Sequence, residues 1–176
     1  RKQASLLISE TDSGKPTVLI VGTGNEIECR EMVKLFFALE SQISRDEVDL
    51  RLSLPCTAKI SGELAGEKLV SSIVDHWPLI ECLPAVDLII GSGGYNLFWE
   101  TESVMSPRIL AARQRKYDSQ SQRLTDSYIN INKGATWVEP FAVDQIVQQI
   151  GRTVIRGSVP VYENGALSAA QAIKLT

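Results

Sequence analysis

Residues 86–120, VDLIIGSGGYNLFWETESVMSPRILAARQRKYDSQ, switch periodicity three times within one short span. Val86 to Ile90 is a short apolar run of the kind a buried parallel strand shows. Gly91-Ser92-Gly93-Gly94 breaks that run. Residues 95–104 then carry Leu97, Phe98, Glu100, Thr101 and Val104 at helical spacing, and Pro107 closes the helix. Ile109 to Ala112 is a second apolar run, and a polar segment, 113–122, follows it. A strand, a glycine turn, a helix and another strand in direct succession make a βαβ unit. That unit requires a parallel sheet covered by helices.

The same stretch suits an anion. Glycine at a turn lets the backbone approach a ligand without an intervening Cβ. The helix behind it presents unpaired N–H groups and the positive end of its dipole, which together make a phosphate site. Glu100 lies six residues beyond Gly94, about 9 Å along a helix rising about 1.5 Å per residue. Helical side chains lean toward the N-terminus. A carboxylate at that place can accept hydrogen bonds from a ribose beside a diphosphate. The plainer alternative is a tight strand-to-helix turn with a solvated glutamate.

The combination of these residues is more specific than the glycines. It resembles the nucleotide-sugar motif in the C-terminal domain of GT-B glycosyltransferases, above all the lipid-linked N-acetylglucosaminyltransferase family of peptidoglycan synthesis. In that family Ser-Gly-Gly or Ser-Gly-Ala follows an apolar strand, and a helix with a ribose-binding Glu comes next. A Pro stands seven residues on, and a loop with Asp and Gln meets the sugar. The matching positions are Ser92-Gly93-Gly94, Glu100, Pro107, Asp118 and Gln120, and Tyr95-Asn96 extends the likeness to other members of the group. The resemblance spans residues 16–175 and departs from the pattern in its more basic loop, Arg113-Gln114-Arg115-Lys116. It implies a doubly wound parallel sheet with helices on both faces, Rossmann-like, as in a GT-B C-terminal half. It also implies base contacts by Val74, Asp75 and His76, largely through backbone groups, with Trp77 able to stack.

The rest of the chain fits one domain of that class. Its 176 residues and 44% hydrophobic content supply one core. With 18 basic and 21 acidic residues, the formal charge of -3 does not suggest nucleic-acid binding. No apolar run approaches the roughly 20 residues of a membrane span. Cys29, Cys56 and Cys82 are widely spaced, without Cys-x-x-Cys, which points to reduced, buried thiols in a cytoplasmic protein rather than a disulfide framework or zinc site. His76 is the single histidine. A histidine-based metal site is therefore not expected, nor a Ser-His-Asp triad. The chain opens on Arg1 without Met or a signal-peptide pattern, which reads as a fragment or a processed form.

Residues 1–15 read as a linker or entry segment and residues 16–176 as the nucleotide-sugar-binding domain. Residues 17–21 form a first strand. Gly22-Thr23-Gly24-Asn25 makes a tight loop, and 26–40 a helix. Gly22-x-Gly24 lacks the third glycine of a dinucleotide fingerprint, because Ile27 stands in its place. In the resembling family this loop also faces the donor, which makes Gly22, Thr23, Gly24 and Asn25 secondary ligand candidates. Strands are expected at 48–54, 69–74 and 135–139. Helices are expected at 79–83, 121–128, 142–150 and from 164 to 175. No P-loop signature is present, which disfavours an NTPase.

The resemblance implies a donor-binding domain for a UDP-sugar, first of all UDP-N-acetylglucosamine, in a hexosyltransferase working without metal or other cofactor. The acceptor-binding domain would lie in cis or on a separate subunit. Arg113, Arg115 and Lys116 are candidates to help hold the diphosphate, or else a solvated charge run. Two other readings stay open. One is a non-catalytic nucleotide-sugar-binding or regulatory module, and the other a related hydrolase or epimerase, because fold alone does not determine function.

Overall fold

Five strands fall where the apolar runs lie, and all pair in parallel. In a computed structural model of the chain, residues 14–23, 26–55, 69, 71–104, 107–113, 117, 119–122, 135–137 and 142–153 are described. The strands are β1 (Thr17–Val21), β2 (Asp49–Ser53), β3 (Leu88–Ser92), β4 (Arg108–Ala111) and β5 (Ala135–Trp137), in the spatial order β2-β1-β3-β4-β5. Their register is direct: Val18 lies opposite both Leu50 and Leu88, and Ile90 opposite Ile109. Among the described residues three α-helices pack on the sheet: α1 (Glu26–Glu40) between β1 and β2, α2 (Tyr95–Val104) between β3 and β4, and α3 (Val143–Thr153) after β5.

Strand alternation divides the core in two. Val18, Ile20, Leu88, Ile90 and Ile109 pack with Met32, Phe36 and Leu39 of α1 and with Ile146 and Ile150 of α3. Leu19, Val21, Ile89 and Leu110 pack on the opposite face with Leu97 and Phe98 of α2. Helices therefore cover both faces, as the doubly wound expectation required. α1 begins with Glu26 and Glu28 in its first turn, where the helix dipole favours negative charge. Arg30 Nη2 reaches back to Glu26 Oε1 at 2.8 Å on the solvent face.

The chain departs from expectation at three places. Gly91 and Ser92 continue β3 instead of breaking it, so the turn is only Gly93-Gly94. The reason lies in packing: a Cβ at Gly91 would stand 2.5 Å from Leu97 Cδ2 and 3.1 Å from the Val21 carbonyl. Glycine here lets α2 lie close on the sheet. The expected strand at 69–74 reduces to one bridge, Ile73 against Leu52, held by Leu52 N–H to Ser72 O and Val74 N–H to Leu52 O. Beyond it the chain leaves the sheet, because Val74 and Leu79 bury against the α2 side. With Ile73 counted as a rudimentary strand on the free edge of β2, the order becomes the six-position Rossmann arrangement. The expected helix at 79–83 is two 3₁₀ turns, Leu79–Glu81 and Leu83–Ala85. Pro84 lacks the N–H that an α-helical turn would need there.

The remaining elements shift by a few residues or lie elsewhere. Residues 120–122 are helical, and the rest of the expected 121–128 helix falls outside the described residues. So do residues 1–13, 138–139 and the expected helix from 164 to 175. Among the described residues no helix is long and apolar enough to cross a membrane.

Cys29 and Cys82 are free thiols and both buried. Burial, and secondarily the negative charge of Glu81, pushes the Cys82 thiol up to about 11. The thiolate is the nucleophile, so the folded protein should leave Cys82 unmodified by iodoacetamide at pH 8 while denatured protein is alkylated. Peptide mass spectrometry reads the difference. Equal labelling in both states would contradict the packing around Cys82.

Candidate functional site

In a sheet of this order the strand connections run in opposite directions from β1 and β3, and their carboxyl ends open a crevice between them. The loops after both strands meet there. Thr23 Oγ1 and Ser92 Oγ lie 3.2 Å apart, joining the first loop to the glycine motif. A cavity of about 690 Å³ occupies the crevice. It is lined across four strand ends: by Ser53 and Pro55 at the end of β2, Gly22 and Thr23 after β1, Ser92 and Gly94 at the end of β3, and Tyr117 and Gln120 after β4.

The start of α2 forms one wall, through Gly94, Tyr95, Asn96 and Leu97. The Gly94 carbonyl accepts the Phe98 N–H at 3.0 Å, which makes Gly94 the residue capping the helix. The Gly93 N–H donates to the Ala111 carbonyl at 2.8 Å and so extends the β3–β4 ladder. A helix start leaves the N–H groups of its first turn without intrahelical partners. A Cβ at Gly94 would meet nothing nearer than Thr23 Oγ1 at 3.9 Å. Protein packing does not require glycine there, unlike at Gly91. The space it leaves faces the cavity.

Two carboxylates reach the cavity from opposite faces of the sheet, Glu28 from α1 and Glu100 from α2, and no Lys, Arg or His lines it among the described residues. Glu100 is half-buried, and that desolvation raises its pKa. Gln120 is only 4% exposed, and its Oε1 accepts the Arg113 N–H at 2.9 Å. The Arg113 guanidinium turns to α1, with Nη1 2.5 Å from Glu31 Oε2. It is thus a strut between the loop and α1 and is not among the residues that line the cavity. Exposed aromatics border the mouth: Trp77, Tyr95 and Tyr117.

Of the residues singled out from sequence, Gly22, Thr23, Ser92, Gly94, Tyr95, Asn96, Glu100 and Gln120 line this one cavity. Gly93 stands beside it. Val74, Asp75 and His76 are not lining residues. Val74 is buried with its N–H on Leu52, and His76 Nε2 lies 2.8 Å from Glu81 Oε2. Trp77, next in the chain, does line the mouth. Gly24, Asn25, Asp118, Arg115 and Lys116 lie outside the described residues. Among the described residues no group of three or more His, Cys, Asp or Glu is placed to hold a metal ion.

Sequence reasoning passed over Glu28, Ser53, Pro55 and Tyr117. For Glu28 a signal existed. Positions 28, 32, 35 and 39 belong to the buried face of α1, with 29, 33 and 36 beside them, so an acid stands where the periodicity calls for an apolar residue.

No protein-family model matches the sequence, and no curated protein sequence matches it. Solved structures do match the fold. The spinosyn forosaminyltransferase SpnP aligns with a TM-score of 0.60 at 18% identity, over 86% of this chain and 37% of its own. It shares that fold. The glycosyltransferase VinC, solved in complex with dTDP, aligns with a TM-score of 0.57 at 17% identity, over 82% of this chain and 35% of its own. The spinosyn rhamnosyltransferase SpnG, complexed with thymidine diphosphate, gives a TM-score of 0.55 at 10% identity, over 86% and 39%. The chain thus spans little more than a third of the length of these GT-B-type structures. At such identities the likeness speaks for the doubly wound, Rossmann-like α/β fold.

Proposed function

We propose that residues 16–176 are the donor-binding domain of a glycosyltransferase that transfers a hexosyl group from a UDP-sugar, with UDP-N-acetylglucosamine the first candidate. The observation that carries this reading is Gly94. It caps α2 at the carboxyl edge of the sheet, beside the Thr23 and Ser92 hydroxyls, and a Cβ there would meet only Thr23 Oγ1, at 3.9 Å. Similar folds solved with thymidine diphosphate support a pyrimidine nucleoside diphosphate as the ligand class.

On this reading the diphosphate rests on the α2 amides after Gly94, with Tyr95 and Asn96 in the first turn. The helix dipole and backbone N–H groups stabilise the charge that develops on the departing diphosphate. Such fixed donors need no reorganisation during the reaction. Glu100 accepts the ribose hydroxyls. The base lies by Trp77, the residue of the 74–77 loop that lines the mouth, which supplies an aromatic face. Gly22, Thr23, Gly24 and Asn25 are secondary ligands of the donor, and Asp118 with Gln120 reads the sugar. The glycosyl acceptor is held by a domain in cis or by a second subunit, which completes the cleft.

Glu100→Ala should weaken UDP binding by about 1–3 kcal/mol, as loss of hydrogen bonds to a charged acceptor does, without changing the far-UV circular dichroism. The pH dependence carries a defined sign. Burial raises the Glu100 pKa, so in the free protein its contribution to stability is present below the ordinary glutamate range and is lost as pH rises through the raised value. Ribose hydroxyls donate to the ionised form, so UDP affinity should fall as pH drops through that raised value. The fall should begin at higher pH than an exposed glutamate would give, and should vanish in Glu100→Ala. Calorimetric titrations with equal UDP affinity in both proteins would leave Glu100 a solvated helix residue and remove the ribose assignment.

A further inference from the structure

The loop after β4 runs from Ala112 to the short helical segment that begins at Gln120. At its neck the Arg113 N–H donates to Gln120 Oε1 at 2.9 Å, which closes the loop on itself. From the same residue the guanidinium turns to α1, where Nη1 lies 2.5 Å from Glu31 Oε2. Tyr117, within the loop, is exposed and lines the cavity together with Gln120.

The two bonds use different parts of Arg113. The neck uses its backbone N–H, which any residue but proline supplies. The strut uses its side chain, and there a positive charge is what meets Glu31. The Arg113 side chain is 20% exposed and that of Glu31 47%. Such a pair is less screened than a fully exposed one, which contributes little. The strut also joins separate parts of the fold. α1 follows β1, whereas the loop follows β4, two places from β1 in the sheet order. It therefore sets where the loop stands relative to the strand ends that surround the cavity.

We propose that Glu31 is a positioning residue: through Arg113 it holds the 113–120 loop at the cavity and so places Gln120 against the sugar of the bound donor. Glu31 does not itself line the cavity. This rests on the nucleotide-sugar reading above, in which the loop reads the sugar and the start of α2 carries the diphosphate. Releasing the loop from α1 weakens the sugar contacts and spares those to the diphosphate.

The test is calorimetric titration of UDP and UDP-N-acetylglucosamine against the wild-type chain, E31Q, E31R, R113E and the exchange variant E31R/R113E, with thermal melts alongside. E31Q keeps the shape of the side chain and removes its charge. It should lower UDP-N-acetylglucosamine affinity by roughly three- to tenfold, between the effect of an exposed ion pair and that of a hydrogen bond to a charged group. UDP affinity should change less than about twofold, because the diphosphate rests on helix amides away from the strut. E31R and R113E each set like charges together and should lower sugar-nucleotide affinity at least as far as E31Q does. The exchange variant restores opposite charges and keeps the backbone bond at the neck. Its UDP-N-acetylglucosamine affinity should return to within about threefold of wild type, a non-additivity expected of a directly interacting pair. Equal losses for both ligands in E31Q, as general destabilisation would give, overturn the proposal. So does unchanged UDP-N-acetylglucosamine affinity in E31Q, or an exchange variant that binds no better than the single reversals. In those cases wild-type binding leaves the donor-site reading standing. If the wild-type chain binds neither ligand, that reading itself fails, and Glu31 loses its role with it.

Discussion

Gly94→Asp should abolish nucleotide binding while leaving the fold as stable as before or slightly more so. Gly94 caps α2, and aspartate is a better capping residue than glycine by a few tenths of a kcal/mol, with its charge at the favourable end of the dipole adding about 0.3–1 kcal/mol. A Cβ there meets only Thr23 Oγ1 at 3.9 Å, and among the described glycines only Gly14 has positive φ, so backbone strain does not oppose the change. A diphosphate seated on the same amides would then face a carboxylate. Two like unit charges about 4 Å apart in a medium of dielectric constant near 20 repel by about 4 kcal/mol. Loss of affinity by roughly a hundredfold or more should therefore accompany a melting temperature unchanged or raised by about 1–3 °C. Differential scanning fluorimetry with and without UDP reads both effects in one experiment. A fall in melting temperature would mean that Gly94 is required by the fold, and unaltered binding would move the anion site elsewhere.

The second large effect concerns the contact that seats α2. Leu97 is 2% exposed and fills the space left by the missing Cβ of Gly91. Leu97→Ala should destabilise by about 2–5 kcal/mol, through lost burial and the cavity left behind. Gly91→Ala should destabilise by about 1–3 kcal/mol through overpacking against Leu97 and the Val21 carbonyl. The two changes act on one space, so the double variant should be more stable than the sum of the single effects predicts, by about 1 kcal/mol or more. Urea unfolding of the four proteins measures the coupling. Strict additivity would show that α2 does not bear on β3 at this point. Unlike Gly94→Asp, Leu97→Ala should lower stability and UDP affinity together, because it loosens the helix whose amides form the site.

These two glycines show what the sequence made legible. Gly91 and Gly94 look alike in a string, both between an apolar run and a periodic segment. One serves packing inside a strand and the other faces a cavity, and only the approach of Leu97 and Val21 distinguishes them. Where a run is long or strongly periodic, as in residues 17–21, 26–40 and 95–104, the structure follows the pattern, because strand alternation and the helical stripe are set by local burial. Residues 69–74 carry enough apolar character for a strand, but the competition between pairing with β2 and burying Val74 and Leu79 against α2 is tertiary. Periodicity cannot weigh it. The site was legible along the glycine motif and opaque elsewhere. Thr23 and Ser92, 69 positions apart, meet only through the parallel register of β1 and β3. Glu28 and Gln120 come to the same cavity from elements distant in sequence, and the basic character of Arg113 concealed its use as a strut to Glu31. No local reading of charge separates a phosphate ligand from a salt bridge.

The central claim is that a nucleoside diphosphate binds at the start of α2 in the crevice between β1 and β3. Titrating ¹⁵N-labelled protein with UDP and following the backbone amide resonances tests it most directly. The account predicts saturable shifts largest for Tyr95, Asn96 and Leu97, with Thr23 following the same curve, and little change in α3. Absence of saturable shifts at millimolar UDP, or shifts concentrated away from the β1 and β3 strand ends, would contradict it.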